Sequence, residues 1–447
     1  MKASAKLPNS MAPTRSPAEE LPAATLRKVT WRLIPFLFVL YIIAWLDRVN
    51  VGFAALEMNT DLGFSSATFG IGSGIFFLGY CLFEIPSNII LERVGARLWI
   101  ARIMVTWGLI SAGLMLVRTP QLFYLLRFLL GVAEAGFFPG VIYYLSLWYP
   151  TAQRARAIAA FMTAVPLTGL IGGPLSGALL GLDGIYGLKG WQWLFLLEGL
   201  PAMVLGISVI FYLNDRPETT HWLTPAERDW LVETLAVERK ACLLRPNISV
   251  ALTDATVWKL GIIFLLTAAG FYGYSFWAPL VIKSLTDLSN FKVGLVLSAI
   301  SSITILGMLL NSYHSDRTGE RALHIAAPLL VTAVGFVGCA LLHKPVLAII
   351  ALALVPLGHC ASYGPFWSTP TQFLTGPAAA AGIALVTMIA NVGGFAGPAL
   401  IGVLKTRTGT HADAFLLLGG LAVIATLLAL RIGPAQAPSS EQPAVTS

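Results

Sequence analysis

Charge is what this chain of 447 residues has least of. Asp, Glu, Lys and Arg make up 11% of it and apolar residues 56%, whereas a soluble domain is about 25% charged. So little polar surface cannot enclose a water-soluble core, and the chain needs lipid. Cysteine is scarce too. Cys81, Cys242, Cys339 and Cys360 stand singly, without the CxxC or His–Cys spacing of a metal or disulfide framework. No metal and no cofactor is expected. The loops carry no metal-ligand cluster and no nucleophile beside a base, so an enzyme is not expected either. The first 29 residues have five basic side chains and several prolines, but no short apolar core ahead of a cleavage site. They read as a cytosolic, disordered tail.

Long apolar runs are what the chain does have. A membrane-spanning helix takes about 20 mostly apolar residues, and twelve such runs can be marked: 31–55, 67–89, 99–117, 122–146, 157–180, 192–213, 257–281, 291–312, 323–342, 346–367, 380–403 and 413–432. They divide six and six. Two unrelated signals repeat at the same half-length offset. Glu92-Arg93-Val94-Gly95-Ala96-Arg97 returns as Asp316-Arg317-Thr318-Gly319-Glu320-Arg321, and 316 minus 92 is 224. Gly169-x-x-x-Gly173-Pro174 returns as Gly393-x-x-x-Gly397-Pro398, and 397 minus 173 is again 224. The expected fold is an all-α membrane protein of 12 transmembrane helices in two pseudo-symmetric six-helix bundles, an arrangement that moves solutes.

The expected organisation is a tail over 1–29, a first bundle over 30–213, a central cytosolic segment over 214–256, a second bundle over 257–433 and a polar, disordered tail over 434–447. Thr224-Pro225-Ala226-Glu227 starts an amphipathic helix in the central segment, with an N-cap, a proline at the first helical position and a capping-box glutamate. The net charge of +7 needs no nucleic acid. With the amino terminus inside, 19 of the 29 Lys and Arg lie on inner tails and loops, 7 on outer loops, and Arg48, Arg102 and Arg127 within spans. That bias follows the positive-inside rule and puts both termini in the cytosol.

Ionisable residues inside spans cost about 2.5 to 3.5 kcal/mol each even on the mild insertion scale, so they are functional by default. Asp47 and Arg48 in the first run and Arg127 and Glu134 in the fourth stand out. Neighbours on a helix point about 100° apart, and Arg127 and Glu134 lie two turns apart, about 10.5 Å along the axis. The economical arrangement is therefore Arg48 near Glu134 and Arg127 near Asp47. Asp47 and Glu134 are the candidate proton carriers, with Arg48 and Arg127 as anion-binding groups. Glu84, Glu198 and Arg102 read as residues that hold loops and helix ends. The second half offers rings and amides instead: Phe271, Tyr272, Tyr274, Phe276 and Trp277, then His359, Tyr363, Phe366 and Trp367, then Asn391. Of these Asn391 ranks first as a substrate contact, because an amide in hydrocarbon wants a partner. Trp367 ranks next and Tyr274 third. Gly131, Gly136 and Gly140 with Pro139, and the two Gly-x-x-x-Gly-Pro stretches, suit close packing or bending.

From Tyr41 to Leu404 the chain resembles the major facilitator superfamily, and more closely its anion:cation symporter family. The carriers are Trp45-Leu46-Asp47-Arg48-Val49-Asn50-Val51-Gly52-Phe53-Ala54, Phe83-Glu84-Ile85-Pro86-Ser87-Asn88, Arg127 through Gly140, Gly190-Trp191-Gln192-Trp193-Leu194-Phe195, Ser315 through Arg321, and Gly393-Gly394-Phe395-Ala396-Gly397-Pro398. The resemblance implies an inner-membrane permease that works by alternating access and takes up carboxylates with protons: sugar acids, tartrate-like hydroxy acids, or phthalate- or hydroxyphenylacetate-like aromatic acids. By it, Asp47 and Glu134 match the proton-linked acids, Arg48 and Arg127 their charge partners, and Tyr80, Trp367 and Asn391 the substrate cavity. Glu92, Arg93 and Arg97 with Asp316, Arg317 and Arg321 match a cytosolic gate. Asn88 stands there where glycine is usual, Glu92 where aspartate is usual, Ser312 where glycine is usual and Glu320 where a base is common. The expected partners are a small organic anion, protons and the lipid bilayer, and the expected state is a monomer. Two rivals remain: a proton-driven drug exporter of the same fold, which the Gly-x-x-x-Gly-Pro stretch of the fifth run resembles, and a receptor or scaffold that moves nothing.

Overall fold

The computed structural model describes residues 17–243, 252–370 and 376–432. Twelve helical spans are long and apolar enough to cross a membrane. In order they are Leu21–Asp61, Ser66–Val94, Ala96–Leu116, Pro120–Ser146, Thr151–Leu180, Gly190–Tyr212, Ala255–Leu285, Asn290–Thr318, Ala322–Leu341, Pro345–Ser368, Ala381–Thr408 and Ala412–Leu430. Each covers one of the twelve marked runs to within two residues. The first helix starts at Pro17, so residues 17–29 extend the first span where a tail was expected. The tail expected over 434–447 lies outside the described residues.

Apolar side chains are exposed where lipid would lie, Leu109, Val204, Phe211 and Leu330 among them. Between helices the close contacts are made by small residues, as expected where lipid removes any hydrophobic preference for helix over solvent. In the first bundle, Gly131 packs on the Phe76 carbonyl and Gly79 on that of Phe128, joining spans two and four. In the second, Gly393 and Gly397 pack on the Leu265 and Ala269 carbonyls, joining spans seven and eleven.

The halves meet along two main seams, spans two with eleven and five with eight, and span one also touches span seven. Both are tightest at the end away from the chain's start, the far end. There Gly70 faces Pro398 and Gly402, and Gly173 faces Gly294. Ala67 N–H donates to Thr406 Oγ1 at 2.8 Å and Asn290 Nδ2 to Glu57 Oε1 at 2.7 Å. Toward the other, terminal end the seam helices are bared. Beyond Tyr80 only Ser87 and Leu91 are buried in span two, and beyond Thr304 only Ser315 in span eight. The halves are closed at the far end and parted at the terminal end.

The central helix, Pro225–Leu243, sits against the first bundle at the terminal end. Its capping box forms as the sequence indicates. Thr224 N–H donates to Glu227 Oε2 at 2.8 Å, and Glu227 N–H to Thr224 Oγ1 at 3.3 Å. Lys28 Nζ adds an ion pair to Glu227 at 2.9 Å. Glu238 in turn accepts from the Thr151 N–H at 3.0 Å, placing a carboxylate at the positive end of the next helix.

Candidate functional site

The fourth span breaks where its sequence demands. Gly136 takes φ 87°, a left-handed conformation open to glycine without steric cost. Three residues on, Pro139 has no N–H to offer the Ala135 carbonyl. Ser87 Oγ from span two supplies the missing donor at 2.6 Å. The break leaves Glu134 as the last residue of its helix, 1% exposed and pointing into the first bundle.

Arg48 meets it there. Its Nε donates to Glu134 Oε1 at 3.1 Å, and its Nη2 makes a shorter charged contact to the same oxygen. The expected pairing of Arg48 with Glu134 is thus what the structure contains. The guanidinium lies against the rings of Trp45, Phe76 and Tyr80 at 5.1, 5.4 and 5.4 Å. Tyr272 belongs to span seven. Its ring packs on Phe77 and Trp45 at 4.3 and 6.4 Å between centroids, so the other half packs on a ring that lies against this charge. Glu134 Oε2 has no hydrogen-bond partner among the described residues.

The second expected pairing does not occur. Arg127 is fully buried, but it donates Nε to the Gly72 carbonyl at 3.3 Å and Nη2 to that of Ser73 at 3.1 Å. Phe76 and Phe276 lie over its guanidinium at 5.2 and 5.8 Å. Asp47 faces span three instead. It accepts from Trp107 Nε1 at 2.6 Å, Ser111 Oγ at 2.9 Å and Asn50 Nδ2 at 3.4 Å. Backbone carbonyls serve one charge and neutral side-chain donors the other, so the quartet is one ion pair and two separately solvated charges.

The remaining candidates divide. Tyr80 is buried beside Arg48. Asn391, from span eleven, directs Nδ2 across the seam to Glu84 Oε2 at 3.5 Å. Trp367 stays within the second bundle, edge-on to Phe264 at 5.1 Å. Tyr274 is buried. Two residues on a helix separate by about 200°, so Tyr274 points away from the face on which Tyr272 meets Phe77 and Trp45. Glu84 and Glu198 do not hold loops as expected: Glu84 lies in the seam, and Glu198 is buried mid-span with Oε1 accepting from Ser176 Oγ at 2.7 Å. Arg102 stacks on Trp99 at 3.9 Å.

The gate residues are at the terminal end, but each stretch pairs within its own half. Arg97 contacts Asp215 at 3.6 Å, Arg321 contacts Asp316 at 2.7 Å, and Arg317 lies over Tyr313. Glu92 and Arg93 are exposed. No bridge between the two stretches is seen among the described residues, in keeping with a terminal end that is open. Neither is there a group of three or more His, Cys, Asp or Glu among them that could hold a metal ion.

Residues 37–398 match the family model of the Major Facilitator Superfamily. The chain belongs to that superfamily. Among its relatives, a "Putative tartrate transporter" of Agrobacterium vitis is 49% identical over 412 residues, covering 92% of each chain. A "Quinolone resistance transporter" of Acinetobacter baumannii is 42% identical over 87% of this chain and 90% of its own. The fold is that of an inward-facing bacterial homologue of the human lysosomal transporter Spinster, at TM-score 0.69 and 17% identity, with 92% and 95% of the two chains covered. With these relatives, the protein is a transporter. It is a multi-pass inner-membrane transporter and not an enzyme.

Proposed function

We propose that this transporter takes up a small organic carboxylate together with protons by alternating access, with Arg48 as the anion-binding group and Glu134 as the acid that exchanges it. The observation that carries this reading is the buried Arg48–Glu134 pair, walled by Tyr80 and by Trp45, on which Tyr272 of the other half packs, with Glu134 Oε2 lacking a donor among the described residues. A proton arriving at Oε2 neutralises Glu134 and releases the guanidinium, which then takes the substrate carboxylate in its planar fork. Deprotonation reverses the exchange. Asp47 is a second proton carrier, Asn391 offers its amide to the substrate's polar end, and Arg127 keeps the site positive. The terminal end is assigned to the cytosol, with the charged repeats as the latch that closes there, and the protein acts as a monomer.

The test uses purified protein in liposomes. A labelled hydroxy acid such as tartrate is expected to accumulate when the outside is more acid, and Arg48→Ala is expected to abolish this with the protein still folded. Accumulation that ignores the pH gradient refutes the coupling. A second reading, proton-driven export, is favoured by the relative named for quinolone resistance. Gradient-driven filling of everted vesicles with a quinolone, and not with a carboxylate, would establish it instead.

A further inference from the structure

Where span eight turns into span nine at the terminal end, three titratable side chains stand in a row that proton coupling leaves unused. They are Glu320 in the connecting loop, His324 in the first turn of span nine, and His314 four residues before the end of span eight. Glu320 Oε2 lies 2.8 Å from His324 Nδ1, and His324 Nε2 lies 2.7 Å from His314 Nδ1. The loop is also tied down at its charged repeat. Ser315 Oγ donates to the Glu320 carbonyl at 2.7 Å, and Arg321 Nη1 reaches Ser315 Oγ and Asp316 Oδ1 at 2.8 and 2.7 Å. The contact between the two imidazoles is thus one of the ties that hold this stretch against span eight.

Hydrogen count decides how much charge the row can hold. An ionised carboxylate only accepts, so His324 Nδ1 carries a hydrogen. Between two nitrogens 2.7 Å apart there is room for one N–H and no more. With both rings neutral, His314 supplies that hydrogen. A first added proton leaves the contact whole: His314 takes it on Nε2, or takes it there and passes the shared hydrogen to His324, whose charge then faces Glu320. A second has no place, since each ring would bring an N–H and a positive charge to the same gap. Burial pushes the Glu320 carboxyl up, but the Leu323 N–H and the His324 ring outweigh it and hold it below the ordinary value. It is therefore ionised throughout the range in which imidazole titrates, about pH 5 to 8. The other charges of the stretch are engaged, Asp316 with Arg321 and Arg317 over Tyr313. Span ten and its continuation Tyr363–Ser368 pack on both spans and carry His359, Cys360 and Tyr363, none of them hydrogen-bonded to either imidazole among the described residues. His314 is exposed, so water delivers the protons. We propose that His314 and His324 form a one-proton site that clasps spans eight and nine at the terminal end, shut while the rings share a hydrogen and parted when both are charged. The stretch it holds is the one read above as half of the cytosolic latch, so acid on that side loosens it; this consequence rests on that reading, and the clasp itself does not.

Hydrogen exchange of the full-length protein in nanodiscs, corrected for intrinsic rate, tests the clasp across residues 319–325. From about pH 7.5 to about pH 5, wild-type protection there is expected to fall, by as much as about tenfold per pH unit, the limit for one linked proton. His314→Gln keeps an amide that can meet His324 but takes up no proton, and its protection is expected to stay level. His343→Gln, in the exposed loop between spans nine and ten, is expected to keep the wild-type slope. Level protection in the wild type overturns the proposal, as does a slope that survives in His314→Gln or one that is lost in His343→Gln as well. Exchange is read without transport. Should the slope appear while wild-type uptake ignores the pH gradient, the coupling reading fails and the clasp stands.

Discussion

Gly294→Ala is the sharpest probe of the closed far end. The three atoms nearest a Cβ on Gly294 are all backbone, the carbonyl carbon and oxygen of Gly173 and, less closely, Pro174 N at 2.9 Å. Backbone cannot swing aside as a flexible side chain can. Relaxed contacts to carbon lie at about 3.5 to 4.0 Å, so spans five and eight must part by more than about 1 Å. Overpacking of this kind costs about 1 to 3 kcal/mol. Because the seam is closed in one conformation and open in the other, the penalty falls on the closed one alone. At about 1.36 kcal/mol per tenfold, the ratio of far-end-closed to far-end-open molecules falls by about 5- to 160-fold. Spin labels at exposed positions on the far-end loops, read by pulsed electron resonance, would report a new long-distance population. Gly420→Ala, which meets nothing within 4 Å, is the control and leaves the distances unchanged. An unaltered distribution in folded Gly294→Ala would refute the view that backbone contact at the Gly173–Gly294 crossing sets the closed state.

Three further outcomes are expected. Glu134→Gln loses accumulation driven by the pH gradient yet keeps substrate exchange, measured by counterflow; unchanged accumulation removes Glu134 from the proton role. Arg127→Ala lowers thermal stability by about 1.5 to 3 kcal/mol, because charged hydrogen bonds to two carbonyls of span two are lost, whereas Arg48→Ala unfolds less readily because Glu134 can take up a proton when left alone; melting of the purified proteins compares them. Burial pushes the Glu227 carboxyl up, but the Thr224 N–H and hydroxyl and the Lys28 ammonium outweigh it and hold it below the ordinary value. A lowered carboxyl stabilises above its unfolded value of about 4.3 and stops doing so as pH falls through the folded value. Hydrogen exchange across 225–243, corrected for intrinsic rate, therefore stays level from pH 8 to 6 and rises below about pH 4, while Glu227→Ala raises it at neutral pH and abolishes the rise on acidification.

Much of this was legible from residues alone, and the failures have definite causes. The spans were legible because length and apolarity decide them without tertiary help. Arg48 with Glu134 followed from charge economy, since a buried cation and a buried anion on neighbouring helices have few other partners. Arg127 defeated the same logic because carbonyls satisfy it, and every residue has one. Tyr272 was hidden among the rings of a span that is apolar all round, where no polar face tells which side meets the site. Glu198 was misread from its place in the Gly190-Trp191-Gln192-Trp193 motif at the helix start. Eight residues are about 12 Å along a helix axis, far enough to carry it into the middle of the membrane.

The placement of charge also limits how coupling can work. Arg48 and Glu134 both belong to the first bundle, as do Arg127, Asp47 and Glu198, so rocking one half against the other neither makes nor breaks their contacts. Under the proposed coupling, protons and substrate act on chemistry inside one body, and the second body must sense the result across the seam. Tyr272 is the group positioned to do so, with its ring on Phe77 and on Trp45, which lies against Arg48. Tyr272→Ala removes the ring. A carboxylate is then expected to bind with its affinity changed by less than about tenfold, since Arg48 and Tyr80 remain, worth under about 1.4 kcal/mol. The substrate-induced shift toward closure at the terminal end is expected to be lost. Calorimetry reads the first quantity and spin-label distances the second. Normal closure in Tyr272→Ala would show that the second half senses the site through another contact, of which Asn391 with Glu84 is the nearest candidate.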